Sequence, residues 1–147
     1  NYSNFEFKRA FEEISKIPSE VQRQVCFAML YAAIGDQDEA EAQARLIPLP
    51  LKTHKDNLDA ACAYNVANRF MDASIALSSI PVKTLIAMGD AGIALKLAFS
   101  TFSAKYAEEI MNKASGVDDV IKEFHGSAAL FRLLNKKYCW QLPQSTR

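Results

Sequence analysis

The stretch GDQDEAEAQARLIP, residues 35–48, decides the fold. Gly35 can stop a preceding helix, because glycine enters the left-handed conformation without a steric penalty. The acids of DQDE then stand where the positive end of a helix dipole favours them. An alanine-rich amphipathic segment follows and ends at Ile47–Pro48, where proline cannot continue a helix. The same ending occurs upstream as AFEEISKIP (10–18) and downstream as DASIALSSIP (72–81). One helix is therefore one copy of a recurring unit.

The segments around it alternate between long and short helices. Val21, Val25, Ala28 and Ala32 fall at i, i+4, i+7 and i+11, and Cys26, Met29 and Ala33 widen the stripe until little of the helix is polar. Such a helix must be covered on several sides. It starts after Pro18 with Ser19 as N-cap and ends at Gly35. A short helix runs from about Asp38 to Ile47. A second long helix runs from about Thr53 to Ala67 and stops at Asn68, another residue that tolerates a left-handed turn. Aligning the alanine that opens each short helix with the residue seven later gives Ala10/Ile17, Ala40/Ile47, Ala73/Ile80 and Ala107/Ala114, at steps of 30, 33 and 34 residues. Period and content predict an all-α chain of antiparallel helix pairs. A first copy contributes only its second helix (4–17), pairs cover 19–47, 52–80 and 82–114, and a C-terminal helix or cap covers 117–140, as one helical-repeat domain over 1–147. The small residue lets two helices approach closely, and the larger one fills the space between adjacent pairs.

In the first full copy Ala28, Tyr31, Gly35, Asp36 and Ala40 stand in the order and spacing of the tetratricopeptide signature, which this copy resembles. The second copy keeps Ala61, Tyr64 and Ala73, with Asn68 at the turn. Departures are Gln24 in place of the early Trp, Ala44 in place of a large residue, and Pro48, four residues early. The resemblance implies a right-handed α-solenoid whose first helices line a concave groove. It carries groove positions onto Gln22, Met29, Lys55, Cys62, Asn65, Lys96 and Phe99. Lysines and an asparagine there would grip a peptide backbone or carboxylate, and Met29 and Phe99 would offer apolar contact. The implied function is a non-enzymatic scaffold or adaptor for a protein or peptide, a segment of a larger assembly. A secretion-chaperone-like protein holding clients is the alternative among binding proteins, and a helical enzyme using His54 or His125 the alternative from another class.

Composition bounds these readings. The 147 residues carry 17 basic and 17 acidic side chains, so the net field offers no footprint for nucleic acid. The longest apolar run, Val25 to Ile34, has ten residues, short of the ~20 needed to span a bilayer. TLIAMGDAGIALKLAF is broken by Asp90 and Lys96. Cys26, Cys62 and Cys139 are odd in number and lack CxxC spacing, which points away from a disulfide framework or zinc site and toward a reducing cytoplasm. His54 and His125 have no ligating neighbours in sequence, and no cofactor or metal is expected. GDAG (89–92) lacks the Gly-Lys-Ser/Thr ending of a phosphate loop and reads as a thin place between helices. The chain opens at Asn1 without Met and with no signal-peptide pattern, as a processed piece would. Its first helix shows Phe7, Ala10, Phe11, Ile14 and Ile17 as an apolar stripe. An uncapped repeat end of this kind docks on upstream repeats or pairs with a second copy. Tyr138 and Trp140 are read as a lid over the other end.

Overall fold

Three left-handed turn residues organise the helices. The computed structural model describes residues 4–139, and the side chains of residues 6–134. Two compact units divide it, Asn1–Ile80 and Pro81–Arg147. The first contains α1 (Asn4–Ser15), α2 (Glu20–Ala33), α3 (Gln37–Arg45), α4 (His54–Val66) and α5 (Phe70–Ser78). In the second are α6 (Val82–Met88), α7 (Ala91–Ser100), α8 (Ala104–Lys113), α9 (Asp118–Glu123) and α10 (His125–Cys139). Among the described residues every regular element is helical, so the chain is all-α.

Gly35 (φ 87°), Asn68 (φ 63°) and Phe102 (φ 55°) lie between α2 and α3, α4 and α5, and α7 and α8. After each, the next amide reaches back to a carbonyl five residues earlier: Asp36 to Tyr31 at 2.9 Å, Arg69 to Tyr64 at 2.8 Å, Ser103 to Ala98 at 2.9 Å. This bond closes a Schellman turn and satisfies a carbonyl that the helix end would otherwise leave open. Five residues past each turn residue stand Ala40, Ala73 and Ala107, and seven before stand Ala28, Ala61 and Leu95, all 0% exposed. The same local turn with the same buried partners thus recurs at steps of 33 and 34 residues.

In the first unit α2 packs chiefly on α3 and α4 on α5, while α2 and α4 lie side by side. Ser19 caps α2 as the sequence predicts, its Oγ accepting from the Gln22 amide (3.2 Å), and Asp36 Oδ1 and Thr53 Oγ1 cap α3 and α4 in the same way, accepting from the Glu39 amide (3.2 Å) and the Asp56 amide (3.1 Å). The apolar stripe of α1 turns onto α2. Phe11 stacks on Phe27 at 4.8 Å and Phe7 on Tyr31 at 5.9 Å, and Phe7, Ala10, Ile14 and Ile17 are half-buried. Much of the face expected to await a neighbour is therefore covered within the unit, Phe11 keeping 37% exposure.

The second unit departs from expectation at Gly89. Residues 82–100 form two helices, because Gly89 adopts φ 80° and caps α6. Nor is Gly92 a thin place: a Cβ there would meet only Val120 Cγ2, at an ordinary 3.8 Å. α8 packs on α7 and α10, and Leu85, Leu95, Phe99, Ile110 and Phe131 fill the core. α10 falls within the C-terminal helix expected at 117–140; the lid reading of Tyr138 and Trp140 lies outside the described side chains.

Candidate functional site

The packing of α2 beside α4 leaves one face of each helix turned outward. Val25 and Ala28 of α2 and Leu58 and Ala61 of α4 are buried. The remaining positions at i, i+4 and i+7 are Gln22, Cys26 and Met29 on α2, and Lys55, Asp59 and Cys62 on α4, with Val66 one turn further. One end of this face is polar. The Gln22 amide donates from Nε2 to Asp56 Oδ1 at 2.8 Å and to Asp59 Oδ2 at 3.4 Å, and Lys55 Nζ lies 3.2 Å from Asp59 Oδ1. The other end is apolar, with Met29 at 43% and Val66 at 37% exposure.

Half-buried Cys26 and Cys62 sit between these ends. Burial pushes the Cys26 thiol up, and the negative charge of Asp59 pushes it further. A thiol disfavoured as thiolate is a poor nucleophile and metal ligand. The face thus has a charged end and an aliphatic end, with a weakly acidic thiol between them.

Among the residues that the resemblance points to, the first unit holds Gln22, Met29, Lys55, Cys62 and Asn65. Asn65 is half-buried, its Oδ1 buried without a hydrogen-bond partner. Lys96 belongs to the second unit, exposed and 3.8 Å from Glu123 Oε1. Phe99 is corrected from groove contact to core. It is 5% exposed, its ring 5.6 Å from Phe124 and 5.7 Å from Phe131, because Phe124, between α9 and α10, and Phe131 of α10 cover α7. The almost wholly apolar run around it, ALKLAF with Lys96 alone polar, was the signal of a helix covered on several sides.

His54 and His125 open α4 and α10, both exposed and in different units. Among the described residues no three His, Cys, Asp or Glu side chains converge as a metal site would require, and no single helix is long and apolar enough to cross a membrane. No family model, curated protein or solved structure matches this chain. The site rests on its own geometry. Asp56 and Asp59 are the side chains of this face that sequence reasoning missed, and the i, i+4 spacing of Lys55 and Asp59 was the available signal. With Lys55 held by Asp59, the polar end carries a net negative charge, opposite to a carboxylate grip.

Proposed function

We propose that the chain is a non-enzymatic protein-binding scaffold, built from tetratricopeptide-like helix pairs wound as a right-handed solenoid. It works in a reducing, cytoplasmic setting, and the α2/α4 face receives a peptide or helix. The observation that carries this reading is the recurrence of one Schellman turn at Gly35, Asn68 and Phe102, with a fully buried alanine five residues beyond each. Stacked copies of one helix pair expose equivalent surfaces side by side, which suits them to grip extended ligands. Aliphatic Met29 and Val66 beside the Gln22, Asp56 and Asp59 cluster give such a ligand apolar contact and a charge to register on.

Selection from a random peptide library against the folded chain tests this. The expected result is a converging set of ligands whose binding is lost in Met29→Glu and Asp59→Lys while the thermal melt stays in place. Ligands indifferent to both substitutions would move the site off this face. A wide, unrelated set of apolar ligands would replace the adaptor with a client-holding chaperone.

A further inference from the structure

We infer that the α2/α4 face of one molecule is occupied by α10 of a second copy of the chain. The inference rests on the reading of that face as a binding surface and names its ligand.

Charge is the first support. Residues 1–80 carry eleven acidic and eight basic side chains, a net charge of −3, and residues 81–147 carry six acidic and nine basic, a net charge of +3. The neutral total conceals two halves of opposite charge, and opposite charge draws the acidic half of one molecule to the basic half of another.

Exposed apolar surface is the second. Ala128 (2% exposed) and Phe131 (1%) anchor α10 in the core of its own unit. Leu130 and Leu133 point outward at 43% and 61% exposure, with Arg132 exposed beside them. The same helix continues through Lys136 and Lys137 in the sequence. A helix that shows leucines to water next to a run of cations has the composition of a ligand for an acidic, partly apolar face.

Register is the third. On α4 the acids Asp56 and Asp59 precede Val66, whereas on α10 Leu130 and Leu133 precede Lys136 and Lys137. Antiparallel alignment therefore brings the leucine-bearing part of α10 level with Met29 and Val66 and its lysine-bearing part level with Asp59. Seven residues separate Asp59 from Val66 and also Leu130 from Lys137, about 10.5 Å along either helix. Antiparallel helices also place opposite dipole ends together. Because the two surfaces differ, the contact is heterologous, and it either closes reciprocally in a pair or propagates into longer chains.

Light scattering with size separation, over a rising concentration series at low and high ionic strength, reads the association. The expected mass exceeds the 16.3 kDa of one chain, rises with concentration at low salt, and falls back at high salt. Two charge-reversed variants make the test specific: Asp56→Lys with Asp59→Lys, and Arg132→Glu with Lys136→Glu and Lys137→Glu. Each alone meets like charge and stays monomeric. Their equimolar mixture restores opposite charges at both kinds of contact and re-associates. Circular dichroism melts establish that both variants are folded. A wild-type chain that is monomeric throughout, or folded variants that fail to associate on mixing, overturns the inference. Should wild type be monomeric while Asp59→Lys still abolishes binding of a selected peptide, the face remains a binding site and self-occupancy alone fails. Loss of both results would overturn the site as well.

Discussion

The hydroxyl of Tyr64 donates to the carbonyl of Ile47 at 2.8 Å, in a buried position that joins α4 to the residue ending the previous helix pair. Ile47 is 4% exposed and Tyr64 also 4%, so no solvent competes for the bond. Burial pushes the Tyr64 phenol up, Asp72 adds to this, and Arg69 opposes it. The protonated donor is the form that the fold favours.

Tyr64→Phe keeps the ring and removes the donor, leaving the Ile47 carbonyl buried and unpaired. The expected loss is about 1–3 kcal/mol in chemical denaturation, with the slope of the transition unchanged.

Ala73 is 0% exposed where α5 meets α4. Ala73→Leu forces an overpacked contact and lowers stability by ~1–3 kcal/mol. Ala42→Leu, on an exposed position of α3, leaves the melt nearly in place. Equal melts for the two variants would show that the alanines do not set helix approach.

Phe102 holds φ 55° with a bulky side chain and is 74% exposed, its ring 5.7 Å from Phe131. An L-residue in the left-handed region bears ~1–2 kcal/mol of strain. Phe102→Ala removes the ring and keeps the strain, while Phe102→Gly removes both. The glycine variant should therefore be the more stable of the two by about 1 kcal/mol. Identical stabilities would mean that the turn relaxes out of the left-handed conformation.

Tyr106 is pushed up to about 12 from an ordinary value of 10, first by burial and then by Glu109. A raised folded-state value means that the fold prefers the protonated phenol. Its stabilising contribution is complete below pH 10 and is lost as pH climbs through about 12. Titration of tyrosinate absorbance should show a late-ionising phenol missing from Tyr106→Phe, and that variant should lose less stability over this window.

Legibility followed local chemistry. Gly35 and Asn68 were readable as turns because few residues accept positive φ, and Ser19 as a cap because a short hydroxyl reaches a free amide. Gly89 was misread as a contact point, although Gly89–Asp90 repeats the Gly35–Asp36 pair that ends α2. Phe102 gave no signal, since its conformation is imposed by the hydrogen bond that the Ser103 amide donates to the Ala98 carbonyl and by packing of α7 on α8 rather than by its own preference. The polar end of the candidate face was half-readable. Lysine and aspartate four apart pair within α4, but the bonds from Gln22 arise only when α2 lies beside it. Phe99 was assigned to the groove although the apolar run around it signalled burial, because the rings that cover it, Phe124 and Phe131, lie more than twenty residues away in sequence.

Regular spacing of the Schellman turns also has a mechanical meaning. Each turn closes its own helix pair by a backbone bond across only five residues, whereas Tyr64 and Gln22 bond from one pair of the first unit to the other. A turn that opens under load therefore frees about one repeat of chain only once those cross-pair bonds have gone. Thirty-three or 34 residues drawn out straight amount to about 110–120 Å. Under tension each turn is a latch on the pair it closes, with a similar length of slack behind it.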